Sequence, residues 1–323
     1  MYVRAGHYLN VSLAPLAPFL KQTDVTDIYV NRAGEVWTES LGGKIERHQV
    51  ADLDEAALQR MARQVAAWSN QGINREHPLL AASLPDGSRI QIIMPPATRT
   101  GMALAIRRHV IQHLTLDDYA AKRDPILSDT EKSLSSVACD VAGLDHPAQL
   151  RAAVSTRKNI LISGGTSTGK TTFLNALLRE VDRNERVIAI EDTPEIALSL
   201  PNSLGLLAAR NELREASVTT DDLLNAALRM RPDRIIVGEL RGSEAYTFLR
   251  TINTGHPGSM STIHADSPEG AIKQLALLVL QTGAQLSWHD IVSYVQSTIN
   301  IIVQLERVAG NRGIASIWSS EPR

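Results

Sequence analysis

The sequence has very few of the residues that would build a disulfide-linked, zinc-dependent or membrane-spanning protein. Cys139 is the only cysteine among the 323 residues, which excludes an internal disulfide and a zinc site built from cysteines. The longest apolar run, residues 275–280, is far shorter than the roughly 20 residues of a membrane-spanning helix. The N-terminus "MYVRAGHYLN" also lacks the apolar core of a signal peptide. We therefore expect a cytoplasmic protein whose contact with a membrane is at most peripheral.

The sequence also lacks an excess of charge of either sign. Its 33 basic and 35 acidic residues leave a formal net charge of -2, so no chain-wide field attracts nucleic acid or anionic lipid. Hydrophobic residues make up 43% and charged residues 21%, which is ordinary for folded globular proteins. We expect two domains in a chain of this length, since most domains hold about 100 to 150 residues.

The first part of the chain, residues 1–108, predicts a small α+β domain. Strand-like residues 28–30 and 36–38 flank the turn "NRAG" and indicate a hairpin. An amphipathic helix follows, with Asp52 and Glu55 at the spacing of a capping box. Two further strand-like runs, in "LPDGSRIQIIMPP" and "MALAIRR", end this part. The next segment, residues 109–140, is polar and aperiodic and is interpreted as a linker.

The larger part, residues 141–323, alternates strands, glycine-rich turns and helices. The runs "NILIS", "RVIAIED", "DRIIVGE" and "SMSTIHA" are apolar without polar alternation, which is typical of parallel strands covered on both faces. After Thr282 the pattern predicts one helix and a final hairpin, to which we assign no function. The fold class is therefore α/β.

A phosphate-binding loop is predicted between the first of these strands and the helix that follows it. Residues 164–171 match G-x-x-x-x-G-K-[ST] without a mismatch. Backbone N–H groups and the positive helix N-terminus bind phosphate in such loops. Lys170 is expected to bridge the β- and γ-phosphates, Thr171 to bind Mg²⁺, and Thr172 either to cap the helix or to contact the α-phosphate. The predicted nucleotide-binding residues are Gly164, Gly165, Thr166, Ser167, Thr168, Gly169, Lys170, Thr171 and Thr172.

Carboxylates that could orient a water toward the γ-phosphate stand at the ends of two other strands. Glu191 and Asp192 end "VIAIED", and Glu239 ends "RIIVGE", at the sheet edge where doubly wound folds bind ligands. Gly238 stands where an aspartate often precedes the glutamate, so Mg²⁺ is expected to be held through water. We assign Glu239 to metal and water positioning and Glu191 to the general base, and the reverse assignment stays open.

Four ordered segments resemble the hexameric traffic ATPases of type IV secretion and conjugation, within the secretion and pilus ATPase superfamily. They are "GGTSTGKTT", "IEDTPEI", "LRMRPDRIIVGELRGSEAY" and "NTGHPGSMSTIHADSPEGA". Two N-terminal segments, "INREHPLLAASLPDGSRIQIIMPP" and "LAIRR", are similar to the type IV secretion branch. The resemblance covers most of residues 27–280 and implies a RecA-like P-loop NTPase core with a smaller N-terminal α+β domain.

The resemblance also implies roles that spacing alone does not supply. It implies that His264 contacts the γ-phosphate, whereas nothing assigns a role to His256. It implies that Arg241 couples neighbouring subunits, and that Arg89 with Arg107 or Arg108 closes over the nucleotide. Gln274 stands where the family often has an arginine and receives no role. The implied assembly is an ATP- and Mg²⁺-dependent homohexamer, bound peripherally at the inner membrane to other components of a type IV secretion apparatus.

Three alternative functions remain open at this point. One is a type IV pilus or type II secretion motor of the same superfamily, and another is a nucleic-acid-translocating RecA-like motor. The mild net charge and the lack of a lysine-rich or aromatic stripe argue against the second, so no strong direct nucleic-acid binding is expected. The third is a nucleotide-gated scaffold without hydrolysis, which Glu191 and Glu239 argue against.

Overall fold

The computed structural model describes residues 2–41, 43–108, 114–119, 146–208, 218–308 and 311–320. The described residues up to 108 form one compact unit, and those from 114 onward form a second. Most of the expected linker, residues 109–140, lies outside the described residues, and so does Cys139. No helix in the described ranges combines the length and apolarity that a membrane crossing requires.

The N-terminal unit is built on a six-stranded antiparallel sheet with strand order β3-β2-β1-β6-β5-β4. Its elements are α1 (Tyr2–Ser12), a 3-10 turn (Ala14–Leu16), α2 (Ala17–Leu20), β1 (Val25–Arg32), β2 (Glu35–Ser40), β3 (Ile45–Gln49), α3 (Glu55–Trp68), β4 (Leu79–Ser83), β5 (Arg89–Ile93) and β6 (Ala103–Arg107). The predicted hairpin is confirmed as β1 and β2, which pair on either side of the "NRAG" turn.

Helix α3 buries one face in the core of this unit. Leu58, Met61 and Val65 are fully buried among strand residues. The predicted capping box of Asp52 and Glu55 is wrong, because the helix begins two residues later than that pairing requires. Asp54 has the extended backbone of an N-cap, and its carboxylate accepts a hydrogen bond from the Ala57 N–H at 2.6 Å.

The second unit is built on a seven-stranded sheet with strand order β13-β12-β7-β11-β10-β8-β9. All of its pairings are parallel except that of β12 with β13. Its elements are a 3-10 turn (Leu116–Tyr119), α4 (His146–Ser155), β7 (Ile160–Gly164), α5 (Lys170–Leu178), β8 (Val187–Glu191), β9 (Ser203–Leu207), α6 (Thr220–Leu228), β10 (Arg234–Val237), α7 (Glu244–Asn253), β11 (Met260–Ile263), α8 (Pro268–Leu280), α9 (Trp288–Thr298), β12 (Ile301–Val308) and β13 (Asn311–Ser319).

Both faces of this sheet are covered by apolar side chains. Along β7, Ile160 and Ile162 belong to one core with Phe173, while Leu161 belongs to a second core with Phe248. This confirms the interpretation of the continuous apolar runs as strands of a covered parallel sheet. The carboxyl ends of β7, β11, β10 and β8 therefore lie side by side at one edge, where the loops that contain the sequence motifs begin.

A buried ion pair lies at the other ends of these strands, away from the loops that contain the motifs. Arg234, at the start of β10, is 1% exposed and donates two hydrogen bonds to Glu185, at 2.7 and 2.8 Å. It also donates to the carbonyls of Gly258 at 3.2 Å and Val154 at 2.8 Å. A side chain on Gly258 would lie 2.6 Å from the guanidinium. This arginine therefore joins the ends of α4, β10 and the turn before β11.

Candidate functional site

The predicted phosphate loop joins the end of β7 to the start of α5. Gly164 ends the strand, and Lys170, Thr171 and Thr172 form the first turn of the helix. A side chain on Gly164 would lie 2.5 Å from the Thr168 hydroxyl and 3.1 Å from the Leu305 carbonyl. The sequence therefore needs glycine at the first position of the motif for close packing.

The backbone of the loop turns sharply before the helix begins. Ser167 has a φ of 63° and Gly169 a φ of 89°, and the second value is one that glycine adopts without strain. The Thr168 hydroxyl donates to the Gly165 carbonyl at 2.9 Å. Lys170 Nζ lies across the loop, donating to the carbonyls of Gly164 at 2.9 Å and Gly165 at 3.1 Å.

The loops after β10 and β11 bring an acid, an imidazole and a guanidinium together at this lysine. His264 Nε2 lies 2.9 Å from Glu239 Oε1, and both ring nitrogens lie 3.3 Å from Lys170 Nζ. Arg241 forms an ion pair with the other Glu239 oxygen. Lys170, His264, Glu239 and Arg241 therefore form one continuous series of contacts.

The turn that presents His264 is held from the neighbouring strands. Ala265, the next residue, accepts hydrogen bonds through its carbonyl from Ser163 Oγ at 3.3 Å and from Gln304 Nε2 at 3.2 Å. Ser163 precedes the phosphate loop, and Gln304 lies on β12, which pairs with β7. The position of the imidazole is thus fixed by the strand that supplies the phosphate loop.

Glu191 has a structural task that its place in the sequence does not reveal. Its Oε2 accepts hydrogen bonds from the backbone N–H groups of Glu195 and Ile196, each at 2.8 Å. The side chain is buried, and a Cβ on Gly238 would lie 3.6 Å from its Cγ. Asp192, the next residue, is exposed.

Sequence reasoning missed Glu195, which contacts Thr171, the residue predicted to bind Mg²⁺. The Thr171 hydroxyl donates to Glu195 Oε2 at 3.1 Å. Asn175, one turn further along α5, donates to the Glu195 carbonyl at 3.1 Å and accepts from the Ala197 N–H at 2.9 Å. The available signal was the second glutamate of "IEDTPEI", four residues after Glu191. Glu191 and Asn175 together hold Glu195 against Thr171.

His256 is the motif histidine that the structure keeps out of this group. Its Nδ1 lies 3.0 Å from the Pro232 carbonyl, just before β10 begins. Glu239 follows the other end of that strand, so His256 and Glu239 lie at opposite edges of the sheet. This placement agrees with the lack of a role for His256 in the sequence.

The predicted arginines of the N-terminal unit have different surroundings. Arg89 on β5 lies directly opposite Arg107 on β6, and Arg107 Nε lies 3.8 Å from Asp27 Oδ1 on β1. Burial raises the pKa of Asp27, and Arg107 opposes that rise. Arg108 instead donates to the backbone carbonyls of Gln22 and, at 3.0 Å, Val25. Of the two alternatives, Arg107 has the more exposed side chain, with 51% exposed.

Comparison with known families gives one match over nearly the whole chain. The family model described as "Type II/IV secretion system protein" matches residues 10–313. The type IV secretion system protein VirB11 of Bartonella quintana is 37% identical over 326 residues, covering 95% of this chain and 91% of that protein. The type IV secretion system protein PtlH of Bordetella pertussis is 37% identical over 332 residues, covering 96% and 94%.

Solved structures give a matching fold. The VirB11 ATPase from the Brucella suis type IV secretion system, crystallised with sulphate, has 35% identity and a TM-score of 0.51, covering 98% of this chain and 96% of that one. The pilus retraction motor PilT with bound ADP has 19% identity and a TM-score of 0.62, covering 97% and 83%. At 19% identity, the similarity to PilT shows the fold alone. Together these matches confirm the predicted α/β fold class, a RecA-like core with a smaller N-terminal domain.

Proposed function

Because the chain belongs to the type II/IV secretion system protein family, we propose that it hydrolyses ATP to power a type IV secretion apparatus. The observation that supports this most is the series of contacts from Lys170 through His264 to Glu239 at the mouth of the phosphate loop. A cation, an imidazole and a carboxylate at one helix N-terminus suit the binding and cleavage of a polyphosphate.

ATP binding would change the partners of Lys170. Its ammonium donates to two loop carbonyls, of Gly164 and Gly165. The same group would turn to the β- and γ-phosphate oxygens, while the loop N–H groups and Thr172 hold the phosphates. The imidazole of His264, 3.3 Å from the ammonium, would then meet the γ-phosphate, the role implied by the family.

The residues around Thr171 suit magnesium. No cluster of three or more His, Cys, Asp or Glu side chains able to hold a metal occurs in the described part of the chain. A site with so few protein ligands suits magnesium, since this ion is usually held by one or two protein oxygens and the substrate phosphates. Thr171 and Glu239 would hold it, with Glu195 supporting the Thr171 hydroxyl. Bound magnesium would neutralise charge that develops on the phosphates.

Two carboxylates share the remaining chemistry in this proposal. Glu239 would orient the attacking water, because it neighbours the imidazole that faces Lys170. Glu191 would accept the proton from that water through the oxygen that does not bind the Glu195 and Ile196 N–H groups. If Glu191 instead positions the water and Glu239 is the base, the single-turnover hydrolysis rates of Glu191→Gln and Glu239→Gln would rank in a different order.

The proposal extends to the arginines and to assembly. Arg89 and Arg107 lie opposite each other on adjacent strands, and together they would neutralise part of the charge of a bound triphosphate. Closure of the two units around ATP would then do mechanical work. A homohexamer, with Arg241 coupling neighbouring subunits, would combine these closures at the inner membrane beside other secretion components. Relatives whose names place them in type IV secretion systems support this reading.

A pilus motor receives less support than a secretion motor. Identity to type IV secretion proteins is 37% over nearly the full chain, whereas identity to the pilus retraction motor PilT is 19%. The function is tested by steady-state phosphate release from MgATP. We expect Lys170→Ala and Glu239→Gln each to lose at least about 100-fold in turnover, while Lys158→Ala, at the other end of β7, retains it. Full activity of both site variants in folded protein would refute the site.

A further inference from the structure

Arg312 lies on the C-terminal hairpin, for which the sequence suggested no function. Strand β12 pairs with β7 so that Leu305 lies opposite Gly164, the first residue of the phosphate loop. Strand β13 returns beside β12, and Arg312 lies opposite Arg307. The hairpin therefore brings two arginines to the sheet edge where the phosphate loop begins.

The side chain of Arg312 packs against the phosphate loop itself. A Cβ on Gly169 would lie 2.8 Å from Arg312 Cδ, 3.3 Å from Nε and 3.5 Å from a terminal guanidinium nitrogen. Gly169 is the N-cap of α5 and immediately precedes Lys170. Glycine is thus required here for two reasons, its φ of 89° and the room that Arg312 occupies.

A phosphate in the loop would be a favourable partner for the charge of Arg312. The Arg312 side chain lies at the start of α5, beside the residue that precedes Lys170. A guanidinium binds phosphate oxygens through several N–H donors, so this position suits contact with a bound nucleotide.

Aromatic residues pack along the face of α5 that begins at Gly169, where Arg312 lies. Gly169 and Phe173 are four residues apart and therefore share a face of the helix. The ring of Tyr119 meets that of Phe173 edge-on, with centroids 4.8 Å apart. Tyr119 is 6% exposed, and its hydroxyl has no hydrogen-bond partner among the described residues. Burial raises the pKa of Tyr119 to about 12, and the Arg312 guanidinium acts in the opposite direction.

We propose that Arg312 is a nucleotide-contacting residue, a second cation beside Lys170 that the C-terminal hairpin supplies to the phosphates of bound ATP. This inference rests on the proposed function of the phosphate loop. It assigns to the final hairpin a direct part in the site, since the hairpin fixes the guanidinium against the residue that precedes Lys170.

The test compares MgATP affinity, measured by calorimetry, among variants of the full chain. Arg312→Gln removes the charge and keeps a polar side chain, Arg312→Lys keeps the charge, and Arg307→Gln is the matched control on the opposite strand. A hydrogen bond to a charged group corresponds to about a tenfold change in affinity or more. We expect Arg312→Gln to bind about tenfold more weakly, Arg312→Lys within about threefold of the unmodified protein, and Arg307→Gln with unchanged affinity.

Different results would overturn different claims. If the unmodified protein binds no MgATP, the proposed function fails and the inference fails with it. If the unmodified protein binds, Lys170→Ala does not, and Arg312→Gln binds like the unmodified protein, only the role of Arg312 is refuted. Equal loss in Arg312→Lys and Arg312→Gln would also refute it, since packing rather than charge would then be responsible. Thermal unfolding of each variant establishes that the hairpin is folded.

Discussion

Replacement of Arg234 by methionine should destabilise the second unit more than any exposed charge change. Methionine fills a similar length but removes four hydrogen bonds, two of them to the buried carboxylate of Glu185. Breaking a buried pair by removing one partner costs about 3–5 kcal/mol. Arg157 also reaches Glu185, at 3.3 Å, so the carboxylate keeps one partner. We therefore expect the lower end of that range, about 3 kcal/mol.

Thermal unfolding measures this effect directly. For a unit of this size, 1 kcal/mol lowers the midpoint by roughly 2–4 °C, so Arg234→Met should lower it by about 6–12 °C. Arg157→Ala is the matched control, because the Arg157 side chain is 41% exposed and such a partly solvated partner contributes about 1 kcal/mol or less. The double variant Arg234→Met, Glu185→Leu should be more stable than Arg234→Met alone, since no buried charge remains. A midpoint unchanged by Arg234→Met would refute the reasoning.

Three other predictions concern the site and the N-terminal unit. Glu195→Ala should raise the Mg²⁺ concentration needed for half-maximal ATP turnover by about tenfold, because Thr171 loses its acceptor; an unchanged magnesium requirement would contradict this. Arg107→Ala should slow turnover and leave the unfolding midpoint within about 2 °C, whereas Arg108→Ala should lower the midpoint; the opposite pattern would exchange their roles. Asp54→Ala should cost about 1 kcal/mol in urea unfolding by loss of the α3 cap, and no change in the urea midpoint would show that the cap is dispensable.

The parts of the fold that the sequence predicted are those with a local signal. The phosphate loop is set by glycine and lysine at fixed spacing, and the covered strands by continuous apolar runs. Strand β3, "IERHQ", was not predicted because its side chains are mostly exposed, so it has no alternation of apolar residues. Strand β9 was missed for a similar reason, since only parallel pairing with β8 defines it.

In the site, too, residues beside a predicted strand could be identified from the sequence, and residues placed by contacts elsewhere in the fold could not. Lys170, Glu239 and His264 follow predicted strands, so their meeting at one sheet edge could be inferred. Glu195 and Arg312 could not be found in that way. The first is held by a hydrogen bond from its own N–H to the Glu191 carboxylate, which depends on the path of a loop. The second reaches Gly169 from a hairpin more than a hundred residues further along the chain.

The central claim is that the loop of residues 164–172 binds ATP with magnesium and that Lys170 is its principal cation. Calorimetric titration of the unmodified protein and of Lys170→Ala with MgATP tests this most directly. The account predicts a saturable heat in the unmodified protein and its loss in folded Lys170→Ala. Absence of binding in the unmodified, folded protein, or equal affinity in the two proteins, would contradict it.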